Sequence, residues 1–206
     1  MIAFIAVCLF SWVVVPTGIF GVVINTATTR PKIRKKIKNN IEVIIVSSGA
    51  IAKGMFELDL KERPATLNML QATAAVGQVG LINNYERRFS KLNLKTAQVL
   101  VSHDDIANRE RYLNSRRSLQ ALLVLGVIPI VNENDSVATE EITFGDNDML
   151  AGALAGLVSA DKLIILTDQK GICESDPKVD KLAKLIPSID FDSKKIDLKK
   201  LMDGSS

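Results

Sequence analysis

Residues 127–135 have the sequence VIPIVNEND, in which five apolar residues are followed by four polar ones. A short, continuous apolar run rich in β-branched residues is typical of a strand buried on both faces, as in a parallel sheet. Pro129 has no N–H to donate, so we expect it near an edge of the sheet or at a bulge. The stretch therefore predicts a buried strand, with Asn132 and Asp135 in the loop that follows it.

The rest of the chain repeats this pattern of buried strands separated by helices. Strands are predicted at residues 42–46 (EVIIV), 97–101 and 163–166 (LIIL), and apolar residues at helical spacing predict helices over residues 50–55, 67–92, 113–125 and 149–158. Strands that alternate with helices favour a parallel sheet covered on both faces. We therefore expect an α/β fold, a three-layer α/β/α sandwich with a mostly parallel central sheet.

The composition excludes several classes of protein. The chain has 206 residues, of which 47% are hydrophobic and 24% charged, so it has enough apolar surface to form a core and is not a disordered chain. Its two cysteines, Cys8 and Cys173, cannot build a disulfide framework. His103 is the only histidine, which excludes a multi-histidine metal site and nearly excludes a histidine-based catalytic triad.

The positive charge is concentrated in one short segment. The net charge is +3, and six basic residues lie within residues 30–38, so the rest of the chain carries −3. A run of this kind is usually a solvated helix face. We therefore expect no nucleic-acid partner.

Residues 1–24 are almost wholly apolar and precede the basic run. Three interpretations remain open: a transmembrane helix, an uncleaved signal-like segment, or strands of the soluble core. Pro16 and two glycines interrupt the stretch, and Val13 to Val15 favour a strand. We expect residues 1–38 to be an atypical segment before an incomplete domain at residues 39–206, and we do not expect a working membrane anchor.

The carboxyl ends of the predicted strands carry polar sequence. Parallel sheets bind ligands at that edge, and here it holds Ser47-Ser48-Gly49, the four residues after Val131, and Thr167-Asp168. A serine-glycine turn that enters a helix offers backbone N–H groups to a phosphate or carboxylate. A further polar cluster, Gly145-Asp146-Asn147-Asp148, precedes the helix at 149–158 and is alternatively a simple capping turn. Together these groups suit an amino-acid substrate.

Longer stretches make the chain recognisable. They are VSSGAIA (46–52), AAVGQ (74–78), RERYLN (109–114), IPIVNEND (128–135), GDND (145–148), LTDQKG (166–171) and Asp176-Pro177. With these stretches the chain resembles the amino acid kinase family over residues 40–192. The pairing of NEND with GDND is similar to the members that phosphorylate glutamate, and it differs from acetylglutamate kinases and aspartokinases.

The resemblance implies a set of roles. Ser48 would lie in the glutamate and phosphate region, and glutamate would be bound by Asn132, Asp135, Asp146 and Asn147, with Asp135 facing its ammonium group. Asp148 would order the catalytic lysines, and Thr167 and Asp168 would contact ATP. The implied cofactors are ATP and Mg²⁺, and the implied reaction is phosphorylation of the side-chain carboxylate of glutamate. We also expect a homo-oligomer in the cytoplasm.

The chain departs from the family pattern in two places. The family opens with a strand that leads into a Lys-x-Gly loop, but residues 1–40 contain no Lys-x-Gly, and Val13 to Gly18 is the nearest analogue. The family also continues into a lysine-bearing nucleotide loop beyond the equivalent of residue 206. Two function classes therefore remain open: a glutamate-phosphorylating enzyme, whole or impaired, and a non-catalytic protein that retains the amino-acid pocket.

Overall fold

A computed structural model describes residues 4–8, 12–14, 20–22, 42–137, 146–166, 173–175, 180 and 182–186 of the chain. The strands are β1 (Phe4–Cys8), β2 (Trp12–Val14), β3 (Phe20–Val22), β4 (Val43–Ser47), β5 (Lys95–Val101), β6 (Val127–Glu133) and β7 (Lys162–Leu166). The helices are α1 (Ala50–Glu57), α2 (Leu67–Ser90), α3 (His103–Ala107), α4 (Arg109–Val124) and α5 (Asp146–Val158).

Five strands form a parallel sheet in the order β5-β6-β4-β1-β7. β5 and β6 are neighbours in the sheet, and helices α3 and α4 form the crossover between them, as parallel pairing requires. Because all five strands run the same way, their carboxyl ends meet at one edge of the sheet. The predicted parallel α/β sheet is confirmed, and strands β4 and β6, which carry two of the predicted polar ends, are direct neighbours.

Both faces of the sheet are covered by helices. On one face, Ile44 and Val46 of β4 pack with Leu119 of α4 and Leu154 of α5. On the other face, the alternate residues Val43 and Ile45 belong to a cluster with three α2 side chains, namely Leu81, Tyr85 and Phe89. Successive strand residues point to opposite faces, so a strand buried on both sides needs an unbroken apolar run. This explains why β4 reads VIIV and confirms the three-layer sandwich.

The sequence predicted Pro129 near an edge of the sheet or at a bulge. In the structure it lies in β6, an interior strand between β5 and β4. Its position is explained by the register. Pro129 is paired with Ala97 of β5, whereas pairing with β4 begins one residue later, at Ile130. The proline therefore occupies a position in β6 where the ladder to β4 has not yet started, and its missing N–H breaks no bond there.

Helices α1 and α2 cross in close contact through glycines. A Cβ atom at Gly77 of α2 would overlap the backbone oxygen of Ala50 and the backbone nitrogen of Gly54, both in α1. A Cβ atom at Gly54 would in turn overlap the backbone oxygen of Thr73. The contact fixes the start of α1 against α2, directly after the turn Ser48-Gly49. The glycine in the AAVGQ stretch is therefore required by backbone packing.

We expect Gly77→Ala to lower the free energy of unfolding by about 3 kcal/mol, because two helix backbones must separate to admit one methyl group. The matched control is Gly152→Ala in α5, where an added Cβ meets no described atom within 4 Å. Alanine is the better helix former, so the control should be neutral or more stable by up to about 1 kcal/mol. Urea denaturation of both variants measures the difference, and equal midpoints would contradict the close-packing argument.

The apolar N-terminal stretch contributes strands. β1 is an interior strand of the sheet, paired in parallel with β4 on one side and with the edge strand β7 on the other. β2 and β3 form a separate antiparallel pair. Among the three interpretations of this stretch, strands of the core are confirmed for Phe4–Cys8. None of the helices in the described part of the chain is long and apolar enough to cross a membrane.

The chain divides into two compact units, Met1–Leu166 and Thr167–Ser206. The described residues of the second unit include an antiparallel bridge between Cys173 and Leu185. The hydroxyl of Ser175 donates to Asp180 Oδ2 at 3.0 Å. The boundary predicted after residue 38 falls outside the described residues and stays a prediction.

Candidate functional site

The site begins with a hydrogen-bonded group of side chains at the carboxyl edge of the sheet. Asn147, in the first turn of α5, donates from Nδ2 to the backbone oxygen of Ser47 at 3.1 Å and, over a longer 3.4 Å, to Asn132 Oδ1. Ser47 ends β4, and Asn132 lies near the end of β6. Residues far apart in sequence therefore meet where the sequence predicted, and two of them, Asn132 and Asn147, are predicted site residues.

Asn132 differs from its sequence-based description. It was predicted in a loop after a strand that ends at Val131, but β6 continues to Glu133, and Asn132 is only 2% exposed. Its burial is possible because its amide is paired: Nδ2 donates to Gln78 Oε1 of α2 at 2.8 Å. A buried polar side chain without such partners would cost free energy. The pairing thus makes Asn132 a fixed part of the sheet edge.

The turn after β4 brings backbone N–H groups to the same edge. Gly49 precedes α1 with a φ of 100°, a left-handed conformation that favours glycine, and no side chain caps the helix. The first N–H groups of a helix have no partner within it, and the helix dipole adds partial positive charge there. The predicted residue Ser48 is half-buried in this turn. The start of α1 thus has the chemistry of a carboxylate or phosphate site.

Asp135 lies in the turn that follows β6, and that turn is itself held in place. The backbone N–H of Asn134 donates to Val101 of β5 at 3.0 Å, and Ser136 Oγ donates to Asn134 Oδ1 at 2.7 Å. Burial, and then the neighbouring charge of Glu133, raise the pKa of Asp135 from its usual 3.8 to about 6, and Arg63 acts weakly in the opposite sense. A buried carboxylate that lacks full charge compensation is suited to receiving a cationic group.

Asp148 is the second unusual carboxylate. Its Oδ1 is buried and has no hydrogen-bond partner among the described residues, and burial raises its pKa. An unpaired buried carboxylate oxygen is uncommon and indicates a missing donor. Asp148 lies one residue after Asn147 in the first turn of α5.

The polar cluster at 145–148 was predicted to precede its helix, but three of its four residues lie within the helix. The helix begins at Asp146 rather than Met149, so Asp146, Asn147 and Asp148 form its first turn. Acidic residues are favourable there because they oppose the positive end of the helix dipole. The side chain of Asp146 is outside the described residues. So are Thr167 and Asp168, which follow β7.

Two members of the site, Ser47 and Gln78, lie in sequence stretches quoted above, but neither was predicted as a site residue. Ser47 is fully buried at the end of β4, and its Oγ accepts a hydrogen bond from the Tyr85 hydroxyl at 3.0 Å. Gln78, 9% exposed, supports Asn132. Gln78 lies in α2, where apolar and polar residues do not follow a clear helical period. Its position directly after the packed Gly77 was the one sign in the sequence that its side chain points inward. Across the described ranges, no group of three or more His, Cys, Asp or Glu side chains is placed to hold a metal.

Comparison with known proteins gives a consistent result. The sequence profile described as the amino acid kinase family matches residues 21–203. The chain is 56% identical over 150 residues to a protein named glutamate 5-kinase from Methylococcus capsulatus, a match that covers 73% of this chain and 40% of the relative. Glutamate 5-kinases from Saccharophagus degradans (57% over 149 residues; 72% and 40%) and Hydrogenovibrio crunogenus (50% over 169 residues; 82% and 45%) are similar.

The chain therefore spans less than half the length of these relatives. Among solved structures, it is similar to aspartate kinase from Synechocystis, with a TM-score of 0.52 and 16% sequence identity over 91% of this chain and 32% of the other. At that identity the likeness concerns the fold alone.

Proposed function

Because this chain belongs to the amino acid kinase family, we propose that it is part of an enzyme that transfers the γ-phosphoryl group of ATP to the side-chain carboxylate of L-glutamate. The product would be glutamyl 5-phosphate, and the reaction would be the first step of proline synthesis. The observation that carries the proposal is the convergence of Asn147 on Ser47 and Asn132 at the carboxyl edge of the sheet. The similarity to proteins named glutamate 5-kinase supports it.

Glutamate would be held by groups of opposite character. The carboxylate of Asp135 would face the substrate's ammonium group, and the amides of Asn132 and Asn147, with Asp146, would orient the amino-acid end. Ser48 and the N–H groups at the start of α1 would bind a negatively charged oxygen. Since these groups come from separate elements that are packed together, they would hold the substrate in one orientation with little rearrangement.

The chemistry needs no general base. The side-chain carboxylate of glutamate is already ionised at neutral pH, so its oxygen can attack phosphorus directly. One P–O bond forms to that oxygen while the bond between phosphorus and the oxygen of the departing ADP breaks. The role of the protein is to align the two groups and to offset their combined negative charge.

ATP would be contacted by Thr167 and Asp168, which follow β7 in the sequence. The described residues offer no set of ligands for a bound metal. An Mg²⁺ ion, which usually retains waters and binds substrate phosphates, would accordingly be held mainly by ATP, and it would supply charge neutralisation at the phosphates. Asp148, with its buried unpaired oxygen, is suited to receive a cationic side chain such as a lysine.

The setting of the reaction is also proposed. The enzyme would work in the cytoplasm as a homo-oligomer, with L-glutamate and ATP as its small-molecule partners and with neither a nucleic acid nor a membrane as a partner. The slightly acidic charge outside residues 30–38 supports the absence of a nucleic-acid partner.

Calorimetry with purified chain tests the substrate. We expect L-glutamate to bind and L-aspartate, one methylene shorter, to bind at least about tenfold more weakly, in line with the free energy of a single misplaced methylene. Absence of L-glutamate binding would refute the proposal. Binding of L-glutamate without any ADP release would instead favour a non-catalytic glutamate-binding protein.

The affinity for L-glutamate should fall as the pH is lowered. Asp135 has a pKa of about 6, so at neutral pH it is ionised, and about a pH unit below its pKa it is mostly protonated and loses its charge. Titration from about pH 7.5 to about pH 5 should therefore weaken binding about tenfold. The matched control is Asp135→Asn, which has no carboxylate to titrate and should bind weakly with a nearly flat profile. A wild-type affinity that is constant across this range would contradict the role of Asp135.

A further inference from the structure

We propose that Gln78 is a positioning residue for the glutamate site, because it holds the Asn132 amide in place. Asn132 and the backbone oxygen of Ser47 then accept both N–H groups of Asn147, which leaves Asn147 Oδ1 as an acceptor for the substrate's ammonium group. The inference rests on the proposed function. Gln78 belongs to α2, which covers the face of the sheet opposite to α5. It is not one of the ligand-binding groups proposed above.

The direction of the hydrogen bonds follows from one group that cannot be reversed. An asparagine amide can rotate by half a turn at little steric cost and exchange its donor and acceptor ends. The backbone oxygen of Ser47, in contrast, can only accept. Asn147 must therefore present its Nδ2 to Ser47, at 3.1 Å.

The orientation of the Asn132 amide follows from that of Asn147. The second N–H of Asn147 Nδ2 is directed at Asn132 Oδ1, 3.4 Å away. Asn132 then has only Nδ2 left, and this donates to Gln78 Oε1 at 2.8 Å. With both of its N–H groups used, Asn147 retains Oδ1, an acceptor on a half-buried side chain beside the carboxyl edge of the sheet. An oxygen acceptor is the group that an ammonium ion requires.

Gln78 stabilises this arrangement because Asn132 is buried. At 2% exposure, Asn132 Nδ2 cannot replace a lost protein partner with bulk water. Without the acceptor from Gln78, Asn132 Nδ2 would be buried without a partner, so the Asn132 side chain would gain by leaving its position. Asn147 would then keep only the backbone oxygen of Ser47 as an acceptor, and its Oδ1 would be held less firmly for the substrate.

Two substitutions separate the role of the acceptor from the role of the side chain's volume. Gln78→Met keeps a similar length and removes the acceptor, whereas Gln78→Glu keeps an oxygen at the same position whether or not it is ionised. Asn83→Ala, at an exposed position of the same helix, controls for general effects on α2. The ligands are L-glutamate and glutarate, which has the same carboxylates but no ammonium group.

We expect Gln78→Met to weaken L-glutamate binding about tenfold and to leave glutarate binding nearly unchanged, so that the preference for L-glutamate collapses. Gln78→Glu should restore most of the preference, and Asn83→Ala should behave as wild type. In ¹H–¹⁵N spectra of the full chain, the side-chain NH₂ signals of both Asn132 and Asn147 should move in Gln78→Met and remain near their wild-type positions in Gln78→Glu.

Other outcomes overturn the proposal in distinguishable ways. A wild-type chain that binds no L-glutamate refutes the proposed function, and the ammonium role falls with it. If wild type binds but Gln78→Met weakens both ligands equally, Gln78 has only a structural role and this proposal alone is wrong. The same conclusion follows if Gln78→Met leaves the preference and the Asn147 signals unchanged.

Discussion

Asp135→Ala is expected to abolish measurable L-glutamate binding by this chain. The substitution removes the counter-charge of the substrate's ammonium group at a half-buried position, where burial raises the pKa of Asp135 to about 6. Leaving one partner of a buried charge pair alone costs about 2–5 kcal/mol, which corresponds to a loss of at least about thirtyfold in affinity. Calorimetry of wild type and variant under identical conditions measures the loss.

The effect on stability should have the opposite sign. Because the folded-state pKa of Asp135 lies above its usual 3.8, ionisation of this side chain disfavours the folded state. That penalty is fully present above about pH 6 and disappears as the pH falls through the interval down to about 4. Asp135→Asn, which keeps the shape and removes the charge, should therefore raise the free energy of unfolding at neutral pH by about 2 kcal/mol.

The two measurements together give a specific test of a functional carboxylate. A variant that binds less ligand because it is misfolded loses stability and affinity together, whereas Asp135→Asn should lose affinity and gain stability. Equal L-glutamate affinity for wild type and Asp135→Ala would refute the assignment. A loss of stability in Asp135→Asn would show that Arg63 compensates the charge more fully than its weak opposing effect on the pKa indicates.

The sheet was predictable because its strands are buried on both faces. A strand such as β4 must then be apolar at every position, and in a chain of this composition a run such as VIIV is typical of a buried strand. The ends of the elements were less predictable. β6 extends two residues further than its apolar run, and α5 begins three residues before its own. In each place an asparagine, Asn132 in β6 and Asn147 in α5, has a tertiary partner that satisfies its amide.

The site residues divide in the same way. Asn132 and Asn147 stood out because polar residues at strand ends and helix starts are conspicuous in sequence. The roles of Ser47 and Gln78 were not predicted, because each is a polar residue inside a strand or helix whose local sequence shows no unusual pattern. Their roles depend on contacts across 54 positions for Gln78 with Asn132 and 38 positions for Ser47 with Tyr85. Local patterns contain no information on such pairs.

The beginning of the chain was the least predictable part. Its apolar residues fit a membrane helix, a signal-like segment or core strands equally well, since short apolar runs do not distinguish these alternatives. The structure places β1 inside the sheet, between β4 and β7, whereas Val13 and Val14 lie in β2, which pairs with β3. The residues that directly follow β1 are Leu9, Phe10 and Ser11, which carry no charge.

A purified polypeptide of residues 1–206 is expected to turn over glutamate and ATP at least about a hundredfold more slowly than a glutamate 5-kinase of full length. The reason is electrostatic. The transferred phosphoryl group and the attacking carboxylate are both negative, and the site side chains Asp135 and Asp148 are acidic. The resemblance to the family implies two lysines that offset this charge, one in a Lys-x-Gly loop and one beyond the equivalent of residue 206. Neither is present in this sequence.

Lys53 of α1 forms an ion pair of 2.7 Å with Glu57 and lies 4.8 Å from the ring centroid of Phe56. Arg63 interacts electrostatically with Asp135, a carboxylate of the site. Lys170, two residues after the proposed ATP contact Asp168, is the remaining candidate and lies outside the described residues.

Coupled measurement of ADP release, with and without L-glutamate, decides the matter. Losing one preorganised electrostatic contact typically lowers the rate by about 10²–10³, so the loss of two should leave little turnover above the background without glutamate. The reference is the Methylococcus capsulatus relative at full length, and the matched control is that protein cut to the 150 residues aligned here. The cut relative should be as slow as this chain, since it retains the same glutamate site without the rest of the enzyme. Turnover of residues 1–206 within about tenfold of the full-length relative, a difference of only about 1.4 kcal/mol in barrier, would show that another group supplies the missing positive charge. Lys170→Met would then be the first variant to measure.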